Sequence, residues 1–170
     1  MSAQTLAKHP GLERLAKSIR GYDGYHACDI REKTDTVVRA HLVNQIHSLL
    51  SNLGAEIQAQ QEEDQRKIEQ LVDKTKQKLT TICASLDDPT YTSGGFFGRD
   101  SVSERFLQRL YDLEADMLDE TVNIDEEIAS MKQEKMDKDR VEDHFLQINN
   151  YIDDFNQSLF EREALILGDE

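Results

Sequence analysis

The chain has 170 residues, a formal net charge of −14, 32% charged and 38% hydrophobic residues, no Trp and two Pro. That charge argues against DNA, RNA or an anionic lipid surface as the main partner, and no run of ~18 apolar residues is present to make a transmembrane helix. Mean hydropathy is −0.66, yet the apolar residues are too periodic for simple disorder, which predicts helices with long solvated faces and narrow apolar seams. The N-terminus lacks the apolar core of a secretory signal, so a cytoplasmic protein is the expectation.

Residues 1–9 read as frayed. Pro10 then opens a short helix ending by residue 20, because proline is tolerated in the first helical turn. Leu12, Leu15, Ala16 and Ile19 share one face, and Lys8, Arg14, Lys17 and Arg20 make the segment basic. A basic amphipathic helix can dock on a membrane or a partner; the plainer alternative is packing on the acidic remainder of its own chain. Residues 21–28 form a turn with two glycines, Gly21 and Gly24, and two aromatics, Tyr22 and Tyr25. His26, Cys28 and Asp29 resemble half of a metal corner, but no Cys-x-x-Cys or matching second half exists, so no metal or other cofactor is expected.

Residues 29–86 dominate the reading. Asp29 with Glu32 suits a capping box. From Arg31 to Leu86 there is no proline and one glycine, Gly54. Ile46, Ile57, Ile68 and Leu79 recur every eleven residues, as do Val38, Leu49, Gln60, Leu71 and Ile82. Eleven residues in three turns is about 3.67 per turn, the period of a nearly straight or faintly right-handed coil. A single helix of roughly 56 residues would be about 84 Å long, and its stripe needs a packing partner. On such a rod Cys28 and Cys83 would stand about 82 Å apart, far beyond the ~7 Å a disulfide allows. Gln60 and Asp64 interrupt the stripe in the polar stretch 58–67, which reads as a register-fixing layer.

Pro89, Gly94, Gly95 and Gly98 make 87–101 a loop. Flanked by antiparallel helices, it would be the outer tip of a hairpin, where Phe96 and Phe97, with Tyr91, are candidate contacts to a partner or to lipid. Otherwise these aromatics fold back and plug the end of the seam. Ser101 and Glu104 suit a capping box for a second long helix over 102–167. Its rows Val102–Leu113–Ile124 and Phe106–Met117–Ile128 repeat the eleven-residue step, which makes the two helices natural partners. After the polar stretch 132–140 the period becomes seven, in Val141–Ile148–Phe155 and in Phe145–Ile152–Leu159–Ile166. Either the chain turns back at 137–139 or the helix continues; continuity accounts for all four segments.

The expected fold is therefore a single all-α domain over 1–170: an elongated antiparallel helical hairpin, hendecad-like, whose short N-terminal helix completes a three-helix base. No nucleophile–base pair, phosphate loop, zinc spacing or dinucleotide fingerprint is present, so an enzyme with a small-molecule substrate is not expected. Val43, Leu50, Val72 and Leu118 lie off the main stripe, wider than two helices can hide. The function this points to is a non-catalytic interaction or scaffold protein that self-associates, as a dimer or higher, or binds a protein partner. Two alternatives share the architecture: a peripheral membrane hairpin acting through Phe96 and Phe97 or through Leu12, Leu15 and Ile19, and a holdase-like chaperone or adaptor.

Overall fold

The computed structural model describes residues 9–53, 62–89, 91, 95–132 and 138–168. They form helices α1 (Pro10–Ser18), α2 (Arg31–Asn52), α3 (Glu62–Asp87), α4 (Glu104–Lys132) and α5 (Lys138–Leu167), with short 3-10 turns at Cys28–Ile30 and Gly95–Gly98. No strand occurs among the described residues.

The expected rod is not one helix. Residue Leu53 leaves α2 in extended conformation, φ −76° and ψ 116°, and α3 packs against α2. Gly54 and the polar residues after it fall between the two, outside the described residues except from Glu62 onward. The second expected rod is also two helices. The chain turns back between Lys132 and Lys138, and α4 packs on α5 along its length. A single helix bearing one apolar stripe needs a partner; cutting each rod in two lets four stripes meet around one core, which hides more apolar surface.

The four long helices close a ring. Helix α2 touches α3 and α4, and α5 touches α3 and α4, so α3 and α4 stand at opposite corners; α1 lies outside, on α4. The directions follow from side-chain bonds. Arg31 reaches the carbonyls of Phe96 and Arg99 just before α4 begins, and Asn52 bonds Asp125 at 3.1 Å, so α2 and α4 are parallel. His144 meets Glu127 at 2.6 Å and Arg109 pairs with Glu161, so α4 and α5 are antiparallel.

That topology relocates the glycine-rich loop. Between α3 and α4 the chain must cross the bundle end diagonally, so the loop lies over the core instead of at the tip of a rod. Phe96 and Phe97 are buried, as is Tyr91. Phe96 stacks on Phe106 at 5.0 Å and meets Tyr25 edge-on at 5.6 Å. Each such ring removed from water contributes about 1.5–3 kcal/mol. Gly95 has φ +56°, a left-handed turn that glycine adopts without strain.

The apolar face of α1 is likewise internal: Leu12, Leu15 and Ile19 are buried, and Arg14 pairs with Asp116 and Asp119 of α4. Gly11 permits this approach, since a Cβ there would stand 2.7 Å from the Tyr111 carbonyl oxygen. Val43, Val72 and Leu118 are buried and Leu50 partly so, because each long helix has two neighbours rather than one. The helix starts differ too. Ile30 caps α2 with no side-chain bond, and Ser103, not Ser101, caps α4, its Oγ accepting the Phe106 N–H at 3.1 Å. Both cysteines are free thiols; the separation argued for them falls with the continuous rod.

Candidate functional site

Two features of the fold carry unusual chemistry or unusual exposure. The first is a polar cluster inside the loop-capped end of the bundle. Arg162 of α5, 1% exposed, is its centre. Its Nε donates to Glu114 Oε1 of α4 at 3.0 Å, and its Nη2 donates to Asp35 Oδ1 of α2 at 2.5 Å. Its Nη1 donates to the Tyr91 hydroxyl at 2.7 Å. One guanidinium thus ties three helices and the crossing loop together, using the planar fork of arginine against two carboxylates.

The carboxylates are otherwise satisfied. Tyr91 donates to Asp35 Oδ1 at 2.7 Å and Arg39 to Asp35 Oδ2 at 2.9 Å. Tyr25 donates to Glu114 Oε1 at 2.6 Å and Tyr22 to Glu114 Oε2 at 3.0 Å. Tyr111 accepts the Tyr25 N–H at 2.9 Å. Two arginines, Arg162 and Arg39, balance the two carboxylates. A third, Arg31, is buried among the carbonyls of Tyr25, Phe96 and Arg99, with its guanidinium 5.1 Å from the Phe96 ring centroid.

Burial and pairing compete at each group. Burial would raise the Asp35 carboxyl, but Arg162 and the bonds from Arg162, Tyr91 and Arg39 hold it below the usual range. Glu114 is more fully enclosed, and there burial outweighs Arg162 and Tyr25, leaving it raised. Burial also lifts the tyrosines: Tyr91 and Tyr111 to about 12, and Tyr22 and Tyr25 well above their ordinary value. The phenols are therefore neutral at neutral pH, and the two carboxyl groups lie against the guanidiniums of Arg162 and Arg39. Every oxygen of the two carboxyl groups already accepts a bond. A cleft of about 290 Å³ lined by Glu32, Asp35, Thr36, Arg39, Pro89, Tyr91 and Phe97 touches its outer edge.

The second feature is the outer face of α5. Leu146, Phe160 and Leu167 are 62%, 69% and 50% exposed. They fall on one heptad row, 146–153–160–167, whose remaining member is Asp153. Beside this row runs the edge of α3. Lys78 pairs with Asp153 at 3.5 Å, and Lys67, Gln70, Leu71, Lys74 and Glu142 line a cleft of about 380 Å³ between the two helices. Arg39 of α2 donates to the Leu86 carbonyl at the end of α3, so α3 is antiparallel to α2 and parallel to α5; the 75-residue offset of Lys78 and Asp153 sets Leu71 level with Leu146.

The residues singled out in the sequence are thus gathered inside the bundle: Tyr91, Phe96 and Phe97 under the loop, and Leu12, Leu15 and Ile19 between α1 and α4. Cys28 Sγ donates to the Phe97 carbonyl at 3.1 Å, and among the described residues no group of three or more His, Cys, Asp or Glu is placed to hold a metal ion. Sequence reasoning missed Arg162, Glu114 and Asp35. The signal was there: Val141–Ile148–Phe155 steps by seven to Arg162, Leu107 steps to Glu114, and Leu42 steps back to Asp35. No family model, curated protein or solved structure matches the chain.

Proposed function

We propose that the protein is a non-catalytic interaction module, a helical bundle that binds protein through the outer face of α5. One observation carries the reading: Arg162, Glu114 and Asp35 are enclosed and mutually bonded, while large apolar side chains stand exposed on a single row of one helix. Leu146, Phe160 and Leu167 share one row of α5, with Asp153 between the first two, whereas Val122 of α4 is exposed singly, which is ordinary for a protein surface. The finer shape expected from sequence, a hendecad-like coiled coil, is not needed for this reading. Nor do we assign the membrane or chaperone roles, because the side chains they would use, Phe96 and Phe97 or Leu12, Leu15 and Ile19, are committed to the core.

The test is site-specific photo-crosslinking in cells that make the protein. A photoreactive residue at Phe160 should give discrete protein adducts, and one at Val122, similarly exposed, should give none. Absence of adducts at 160, or equal labelling at both positions, refutes the reading.

A further inference from the structure

Building on that reading, we infer that the partner on this face is a second copy of the same chain, joined by a twofold axis passing near Asp153. The geometry is self-complementary. Phe160 and Leu146 lie seven residues on either side of Asp153, so antiparallel pairing of α5 with α5 sets each Phe160 level with Leu146 of the other copy. Leu146 is level with Leu71, so the same pairing brings the exposed ring to the 380 Å³ cleft lined by Lys67, Gln70, Leu71, Lys74 and Glu142. An exposed knob and an open hole therefore occur in one molecule at the spacing a closed dimer needs, and the contact is made twice, about 21 Å apart along the helix.

The charges agree. Residues 150–167, which carry the knob, hold four acidic residues, Asp153, Asp154, Glu161 and Glu163, against Arg162. Helix α3 as a whole holds six acidic and five basic residues, but its edge beside α5 carries Lys67 and Lys74 at the hole and Lys78 next to Asp153. In a chain of net charge −14, Lys67 and Lys74 against Glu142 leave the hole itself positive, where an acidic segment of the other copy would lie. At the axis the two Asp153 side chains approach, but each already carries Lys78, so the meeting point is neutral. The strip is large enough: α5 is about 45 Å long, and with the adjoining edge of α3 it is about 15–20 Å wide. That offers about 700–900 Å² per copy, the size of a specific interface.

The experiment is sedimentation of the full chain at about 100 μM with two variants. Phe160→Lys sets a cation against Lys67 and Lys74 of the other copy, and Asp153→Cys sets two thiols across the axis. The expected results are a wild-type mass twice that of the chain, at least a tenfold weaker dimer for Phe160→Lys with an unchanged melting curve, and a disulfide-linked dimer of Asp153→Cys but not of Val122→Cys. Should Phe160→Lys fold poorly, Lys67→Asp/Lys74→Asp attacks the hole from its exposed side and should weaken the dimer as much. A monomeric wild type, a dimer indifferent to both variants, or equal crosslinking at 122 and 153 overturns the inference. Photo-adducts at 160 of a mass other than two chains would reject the second copy while leaving the interaction module standing; no adducts at all would reject both.

Discussion

Replacing Arg162 with Met separates the two things a buried arginine can do. The side chain is 1% exposed and meets Asp35 and Glu114, which are 3% and 0% exposed. Methionine fills most of the volume but leaves two enclosed carboxylates with one partner cation, Arg39, on the Asp35 side. Breaking a buried pair by removing one member costs about 3–5 kcal/mol, a large share of the roughly 5–15 kcal/mol that holds a domain together. For a chain of this length that is about 6–20 °C in Tm. Urea denaturation followed by circular dichroism at constant pH measures it. The pH dependence is the sharper readout. In the wild type Asp35 is depressed and Glu114 raised. Asp35 contributes stability above its unfolded pKa of about 3.9 that is lost as pH falls through its folded value. Glu114 contributes stability at low pH that is lost as pH rises, so the two partly cancel. Without the guanidinium both carboxyls move upward and their contributions add: the variant should gain on the wild type as pH falls from 7 toward 4. The triple variant Arg162→Met/Glu114→Gln/Asp35→Asn removes the stranded charge and should recover most of the loss. A cost for Arg162→Met below about 1 kcal/mol, the range of an exposed pair, with no change in pH slope, would refute the assignment of Arg162 as the bond between the helices.

Phe96→Ala should cost about 3–5 kcal/mol in urea, as for a core ring, whereas a residue at an exposed tip would change stability by less than about 0.5 kcal/mol. Gly11→Ala drives a Cβ into the Tyr111 carbonyl and should destabilise by about 1–3 kcal/mol, with exchange of α1 amides rising before those of α4 in hydrogen-exchange mass spectrometry. The fold holds Tyr91 and Tyr111 neutral to about pH 12, so their contribution is complete below the unfolded pKa of about 10 and is lost as pH rises toward 12. Unfolding by alkali, read by tyrosinate absorbance at 295 nm, should follow that window at roughly 2–3 kcal/mol per ring; gradual ionisation from pH 10 with the helices intact would contradict it.

The apolar rows in the sequence found the core but not its connectivity. Val38, Leu42, Ile46, Leu49, Leu53, Ile68, Leu79, Ile82 and Leu86 are all buried as the spacing requires. Their phase continues unbroken from α2 into α3, because two helices facing one core can share a period whether or not a helix joins them. Gly54 and the polar run behind it were the break signal, and a polar stripe in a long coil looks the same until a second helix is there to fold against. The change from an eleven- to a seven-residue step near 137–139 marked the other turn more clearly, since one straight helix has no reason to change its period there. Arg162, Glu114 and Asp35 escaped notice because a charged residue on a periodic face reads as the end of the stripe. What distinguishes a frayed stripe from a buried ion pair is the partner, and the partners are 48 and 127 residues away in the chain.

The placement of that cluster explains the loop. A bundle whose third and fourth helices sit at opposite corners must send a connection across its open end, and a connection there would expose backbone groups over an apolar core. This chain fills the opening from both sides. Aromatics come down from the loop, and Arg31 donates to the Phe96 carbonyl, which would otherwise be buried without a partner, and to that of Arg99 at the edge. Arg162 then binds the loop's Tyr91 to the two helices that flank it. Hydrophobic packing alone would accept several ways of seating a glycine-rich crossing, since glycines resist few conformations. A guanidinium that must meet Asp35, Glu114 and Tyr91 together accepts one.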